Sequence, residues 1–304
     1  MVDTITGPDP SHWVACGTGG ITFSVGQMRE RAPIHLGSGE PMILLHPFMM
    51  SQNVWKGVAP LIADTGRYEV LAPTMPGHNG GVKGRFFLDT AELADDMERR
   101  MDELGWDTAH VVGNSLGGWT AFELARRGRA RTLTGIAPAG GWTRYTPAKF
   151  EIVFKFVAGL PVYVGAKVLG HRALKLPYVR QLGFVPISAK ADRLNDEQWL
   201  DIIDDVTHCP AYYQLLAKSL LMPGLLELAE SSTPTHLVIC EKDRVLPHPR
   251  FTRHFTNHLP KNTEVTHLDD VGHIPMFEAP RRVADLIVSF ADRYATPPPH
   301  EAIG

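Results

Sequence analysis

Ser115 lies in Val111-Val112-Gly113-Asn114-Ser115-Leu116-Gly117-Gly118, a hydroxyl with a glycine two residues away on either side. A serine hydroxyl is a weak nucleophile unless a base takes its proton, and that base works best when an acid orients it. Of the 14 histidines, His273 stands apart. It sits in Leu268-Asp-Asp-Val-Gly-His273-Ile-Pro-Met-Phe-Glu, between a strand-like run and the last helical run. The expected acid is Asp243, in Ile239-Cys-Glu-Lys-Asp243-Arg-Val-Leu-Pro247, again just past a strand-like run. Glu241 and Asp270 are rivals, the first nearer its strand and the second close to His273 in sequence; Asp269 and Asp270 also read simply as solvated loop carboxylates. The chemistry these three residue types can do together is acyl transfer through a serine nucleophile.

Such groups must be brought together by rigid elements, and the chain offers them. Apolar residues precede Ser115 as a strand and a helical pattern follows, which is the context a G-x-S-x-G turn requires to lift the hydroxyl clear of a sheet. Strand-like runs at 42–46, 68–72, 109–112, 132–136, 235–240 and 263–268 alternate with helical runs, the pattern of a parallel sheet with crossover helices. One helix is expected from Asp89, with Glu92 as its capping signal and Leu93, Met97, Met101 and Leu104 on one face. Gly20–Val25 and the stretch to Ile34-His35-Leu36 read as an opening hairpin. The alternation stops between about Trp142 and Leu225, which reads as an inserted group of helices.

Composition limits the alternatives. The 304 residues are 44% hydrophobic and 21% charged, enough for one large α/β domain carrying an insertion. A net charge of -3 lacks the basic excess that a nucleic-acid partner demands. Cys16, Cys209 and Cys240 form no CxxC or Cys/His cluster, so neither a metal site nor a disulfide framework is expected. The N-terminal MVDTITGPDPSHW has no secretion signal, and Lys155, Pro161 and Lys167 interrupt the most membrane-like run. The expectation is a soluble, cytoplasmic protein with no transmembrane segment.

Five motifs in order, LLHPF at 44–48, PTMPGHNGG at 73–81, GNSLGG at 113–118, EKDRVLP at 241–247 and DDVGHIPMFEAP at 269–280, resemble the α/β-hydrolase family. The resemblance covers nearly the whole chain outside the insertion. It implies the α/β-hydrolase fold, a mostly parallel central sheet flanked by helices, with a core of residues 1–141 and 226–304 and a helical lid over 142–225. It implies Ser115 as nucleophile, His273 as general base and then acid, and Asp243 as the residue orienting the imidazole. The backbone NH groups of Phe48 and Leu116 would form the oxyanion hole. The implied activity is hydrolysis of a carboxylic ester or related acyl compound, with a small-molecule substrate and no cofactor or metal. A carbon-carbon bond hydrolase of the ring-cleavage type or an acyltransferase would share this triad; a ligand-binding module is the non-enzymatic alternative. Serine in place of aspartate at the elbow argues against the haloalkane dehalogenase and epoxide hydrolase branches.

The chain departs from the family at one point: His46-Pro47 stands where His-Gly is usual. Proline removes the NH of residue 47, but the donor required is that of residue 48, and the ring holds φ at about -65°. A changed loop path or a cis peptide bond would displace that donor. His46 and His78 read as residues that structure the loops.

The lid sequence supplies the substrate clues. Residues 142–225 hold 11 of the 26 aromatics, so Trp142, Phe154 and Tyr212 are expected substrate contacts, with Tyr145, Phe150, Phe156 and Tyr213 as further wall candidates; Met49, in the loop after the 42–46 strand, is a further expected contact. Aromatics at these positions equally suit a small core within the lid. Residues 142–193 carry nine Lys/Arg against two Asp/Glu, while 194–227 carry one against six. The basic half could attract an anionic substrate or lipid headgroups; a solvated face offset by the acidic half is the plainer reading.

Overall fold

In the computed structural model, residues 30–85, 88–143, 146–176, 179–180, 188–190, 194–221, 224–225 and 227–295 are described. Strands β1 (Ile34–Gly37), β2 (Glu40–Leu45), β3 (Tyr68–Ala72), β4 (Ala109–Asn114), β5 (Ala130–Ile136), β6 (Thr235–Cys240) and β7 (Glu264–Leu268) form one sheet. Their order is β1-β3-β2-β4-β5-β6-β7. All neighbours are parallel except β1, which runs antiparallel to β3 with Ile34 opposite Ala72.

The second half of the expected opening hairpin is a strand, β1, at the edge of the described sheet. Ile34–Gly37 pairs with β3, the strand after β2 in the chain, because both edges of β2 are already taken by β3 and β4. The Gly20–Val25 half of that expectation lies outside the described residues.

Side chains alternate across the buried strands and so feed two cores. Met42, Leu44, Val70, Val112 and Val238 face one side. Ile43, Leu45, Leu71, Val111 and Leu237 face the other. Helices α1 (Ala59–Ala63) and α8 (Pro280–Ala291) cover the first side, α8 burying Val283, Ala284, Ile287 and Ala291 as one stripe. On the second side lie α2 (Thr90–Glu103), through Leu93, Met97 and Met101, and α3 (Leu116–Arg126). Asp89 caps α2 by accepting from the Ala91 and Glu92 amides, both at 3.1 Å. Glu92 does not reach back to close a capping box; it accepts from the Arg85 amide at 2.8 Å instead.

Between β5 and β6 the chain forms α4 (Pro147–Ala158), α5 (Leu160–Leu169), α6 (Asp196–Thr207) and α7 (Ala211–Leu221). Pro161 does not break this stretch, because it occupies the first turn of α5, where no intrahelical NH is needed. The run Pro147–Lys175 is long and apolar enough to cross a membrane by length and composition, yet only 17% of its most apolar window is buried.

Because β2, β4, β5, β6 and β7 are parallel, their C-terminal ends lie along one edge of the sheet. The loops leaving that edge carry His46 to Met50, Ser115, Asp243 and His273. Ligands of open α/β sheets bind outside such strand ends.

Candidate active site

Ser115 joins β4 to α3 with φ 54° and ψ -113°, a conformation that costs roughly 1–3 kcal/mol and persists only when its surroundings impose it. Its NH donates to the Ile136 carbonyl at 3.1 Å, and its own carbonyl accepts from the Trp119 and Ala139 amides at 3.0 and 2.9 Å. Glycine is required twice here. A Cβ on Gly113 would lie 2.2 Å from the Gly117 carbonyl oxygen, and one on Gly117 would lie 2.3 Å from that of Leu45. The first turn of α3 therefore packs directly on the end of β2, and the Ser115 hydroxyl is not spent on capping it.

Asp243 and His273 meet across the loops after β6 and β7. Asp243 Oδ2 lies 2.7 Å from His273 Nδ1, with both residues buried. A carboxylate only accepts, so Nδ1 carries the proton and Nε2 of the neutral ring keeps its lone pair. The other carboxylate oxygen accepts from the Val245 and Leu246 amides, each at 2.8 Å, which holds the acid in place independently of the histidine. The rivals are engaged elsewhere: Asp270 pairs with Lys190 and Lys242, Asp269 with Arg282, and Glu241 is exposed. Among the described residues, neither Ser115 Oγ nor His273 Nε2 has a hydrogen-bond partner, which leaves both available to a substrate.

Two positioning residues escaped sequence reasoning. Asn114 is fully buried, and its Nδ2 donates to the Ile136 carbonyl at 2.9 Å and the His273 carbonyl at 3.0 Å. It thus ties the end of β4 to the histidine loop. Glu278 accepts from the Gly272 amide at 2.9 Å and the Ala189 amide at 3.2 Å, holding the same loop from the other side. Asn114 stands beside Ser115 inside the motif, so its place was visible although its role was not.

The loop after β2 is a tight turn closed by the Met50 amide on the Pro47 carbonyl at 3.3 Å. Met49 takes the third position with φ 66°, where glycine is ordinarily preferred. The one cis bond among the described residues is His248-Pro249, so His46-Pro47 is trans. His46 has 0% exposure; its Nε2 accepts from the Met75 amide at 2.9 Å, so the proton is on Nδ1, which donates to the Pro47 carbonyl at 2.9 Å. Burial, then the neighbouring His78, pushes the His46 pKa well below the usual histidine range. Burial likewise lowers His78 to about 4. The two neutral rings meet edge to face at 4.8 Å, as expected of the loop-structuring role. Among the described residues, the Phe48 and Leu116 amides find no internal acceptor.

Phe48, Ser115 and Leu116 line one cleft with Trp119, Trp142, Ile152, Phe156, Leu215 and Leu246, leaving ≈ 630 Å³ between its walls, part of it open to solvent. Trp142, expected at the substrate, is on this wall. Phe154 is corrected: Ile152 and Phe156 turn inward from α4, so Phe154, two positions from each, points out and is 70% exposed. Tyr212 is buried behind the wall, stacked on Phe48 at 5.8 Å and on Tyr163 at 4.6 Å, with its hydroxyl donating to the Phe156 carbonyl at 2.9 Å. Met49 also packs in the core and is not on the cleft. Tyr145 lies outside the described residues.

A third unforeseen residue joins the insertion to the loops. Asp205 of α6 accepts from Ser51 Oγ at 2.6 Å and Asn79 Nδ2 at 3.1 Å, with Arg31 at 3.6 Å. Burial pushes its pKa up to about 7, against the pull of those donors. In sequence it is one of several acids in Asp201-Ile-Ile-Asp204-Asp205, and nothing separates it from its solvated neighbours. Among the described residues no three His, Cys, Asp or Glu side chains converge as metal ligands would.

The comparisons with known proteins agree with this architecture. Residues 42–286 match the alpha/beta hydrolase family. The chain is 58% identical over 205 residues to "Epoxide hydrolase EphH" of Mycobacterium tuberculosis, covering 67% of this chain and 96% of that protein. It shares its fold with a thermophilic esterase from Thermogutta terrifontis (TM-score 0.69, 20% identity, 87% of this chain and 94% of that one). A membrane phospholipase A, described as a bacterial virulence factor, is similar to the same degree (TM-score 0.67, 23% identity, 86% and 81%). With 245 residues (286 - 42 + 1) inside the family match, the chain belongs to the alpha/beta hydrolase family and is a hydrolase.

Proposed function

We propose that this hydrolase cleaves carboxylic esters or related acyl compounds, with Ser115 as nucleophile, His273 as base and Asp243 as the acid that orients it. The observation that carries the reading is the 2.7 Å bond from His273 Nδ1 to an Asp243 otherwise saturated by two amides. That bond fixes the tautomer in which Nε2 can take the serine proton. The Ser115 oxygen attacks the carbonyl carbon as its proton passes to His273 Nε2. The oxyanion that forms is held by the Phe48 and Leu116 amides, the positive end of α3 adding to the field; one such donor is typically worth ~10²–10³ in rate. His273 returns the proton to the leaving group, then deprotonates a water that releases the acid from Ser115. The wall of Trp142, Ile152, Phe156 and Leu215 suits an apolar acyl group. These steps call for no metal or organic cofactor.

The similarity to a protein named as an epoxide hydrolase supports a second reading. Serine attack on an epoxide carbon would leave an ether, which has no carbonyl for water to attack, so epoxide opening here would use water activated directly by His273. Turnover of p-nitrophenyl esters and of styrene oxide by wild type, Ser115→Ala and His273→Ala separates the two. The acyl-enzyme reading expects ester hydrolysis and fluorophosphonate labelling to vanish in Ser115→Ala. Epoxide turnover that survives Ser115→Ala and is lost in His273→Ala would establish the second reading instead.

A further inference from the structure

The outward face of α4 and α5 carries apolar residues that the reaction does not use. Phe150, Phe154, Val157, Val164 and Val168 recur at spacings of four, three, seven and four, which places them along one stripe of the nearly continuous helix; Phe154 is 70% and Val168 79% exposed. Contiguous exposed apolar surface of this kind on a soluble domain marks an interaction site. The opposite side of the same helices is committed to the fold. Ala148, Ile152 and Tyr163 are buried, and Ile152 and Phe156 line the cleft. One side of the stretch is therefore held against the domain, and the other is presented outward, where it can lie on a surface.

Its charge identifies the surface. From Ile152 to Lys190 the sequence contains no Asp or Glu. Lys167, Arg172 and Lys175, on and just after α5, pair with no carboxylate among the described residues; Lys167 Nζ lies 5.9 Å from the centre of the Tyr163 ring, a contact that leaves its charge unneutralised. Lys155 is occupied by Glu151 and by the Arg244 and Val245 carbonyls, and His171 by Asp204. An apolar stripe beside cations that no carboxylate neutralises is the composition of a helix that lies in the headgroup region of an anionic membrane.

We propose that the α4–α5 face docks on an anionic lipid bilayer, Phe150, Phe154 and Val168 entering the interface and Lys167, Arg172 and Lys175 contacting headgroup phosphates. Docking is independent of which bond the site cleaves. In that pose the cleft wall formed by Ile152 and Phe156 lies just above the lipid, so an apolar substrate dissolved in the membrane has a short path to Ser115.

The test is flotation of the full-length protein with phosphatidylcholine vesicles, with and without about one third phosphatidylglycerol. Wild type is expected to float with anionic vesicles and to bind neutral ones at least about tenfold more weakly, since each cation near the surface is worth about fivefold. Lys167→Gln/Arg172→Gln/Lys175→Gln should lose about 100-fold of the anionic binding, by the same factor taken three times. Phe154→Ser/Val168→Ser should lose more than about tenfold while hydrolysing a soluble ester at the wild-type rate and melting at the wild-type temperature. Equal binding of both variants and wild type, or no binding of wild type to either vesicle, overturns the proposal. So does a dimer in light scattering that Phe154→Ser/Val168→Ser dissolves while no lipid binding is found, because the stripe would then be an interface between two copies.

Discussion

Asn114→Leu tests whether His273, the proposed base, is positioned through its backbone. Asn114 Nδ2 gives the His273 carbonyl the one hydrogen bond described for it, whereas the Ile136 carbonyl keeps a second donor in the Ser115 amide. Leaving the buried His273 carbonyl unpaired costs about 1–3 kcal/mol, and the Ile136 loss adds about 1. Against this, Asn114 Oδ1 is itself buried without a partner, and removing it recovers about 1 kcal/mol. The net is about 1–3 kcal/mol of stability. At roughly 2.1 cal/mol/K per residue over 304 residues, the unfolding entropy is about 0.64 kcal/mol/K, so Tm falls about 2–5 °C. The larger effect is on the reaction. The ring stays tied to Asp243, but its loop is freed from β4, and a displacement near 1 Å costs up to about 10² in rate. Calorimetry and ester kinetics on one preparation should show kcat down about 10- to 100-fold with KM nearly unchanged. A Tm within about 1 °C of wild type together with unchanged kcat would refute the reasoning.

Pro47→Gly should leave ester turnover within about threefold, because the proposed donor is the Phe48 amide, and should lower stability by up to about 1 kcal/mol through a looser unfolded chain. A fall in kcat beyond tenfold without a change in KM would mean the proline ring itself aims that amide. Asp205 carries a raised pKa in the folded state, so folding favours its protonated form, and its contribution is greatest below the unfolded value near 4 and is lost as pH rises towards about 7. Denaturant titrations should therefore show wild type losing up to about 4 kcal/mol relative to Asp205→Asn between pH 4 and 8. Comparing the two proteins cancels His78, whose lowered pKa gives the opposite slope between pH 4 and 6.5. Parallel stability curves would show that the carboxylate is solvated rather than held in the loops.

What the sequence made legible was whatever is local. G-x-S-x-G carries its own strand, turn and helix, and Asp243 and His273 each follow a recognisable strand, so the parallel sheet brings their loops to one edge without further information. Partners chosen by the fold were not legible. β1 pairs with a strand more than thirty residues on, and nothing in Ile34–Gly37 records that β2 has no free edge. Phe154 was enriched in the right segment but on the wrong side, because aromatic content reports a wall and only the helical phase reports its inner face. Asn114, Asp205 and Glu278 act through carbonyls and amides of distant loops, and such acceptors are anonymous in a sequence.

The His46-Pro47 departure from the family follows the same physics. In the proposed mechanism a loop at this place offers one amide outward and satisfies everything else within. His46 does the second task by accepting from the Met75 amide and donating to the Pro47 carbonyl, which it can do only as a neutral ring with its proton on Nδ1. A second proton on Nε2 would expel the Met75 amide, so the burial that holds the His46 pKa far below the usual range also preserves the loop near neutral pH. Residue 47 then needs only to accept, twice, from His46 and from the Met50 amide; its own NH has no task. Proline removes just that NH and narrows φ where the turn begins, while the burden of flexibility that glycine carries elsewhere falls on Met49 at φ 66°.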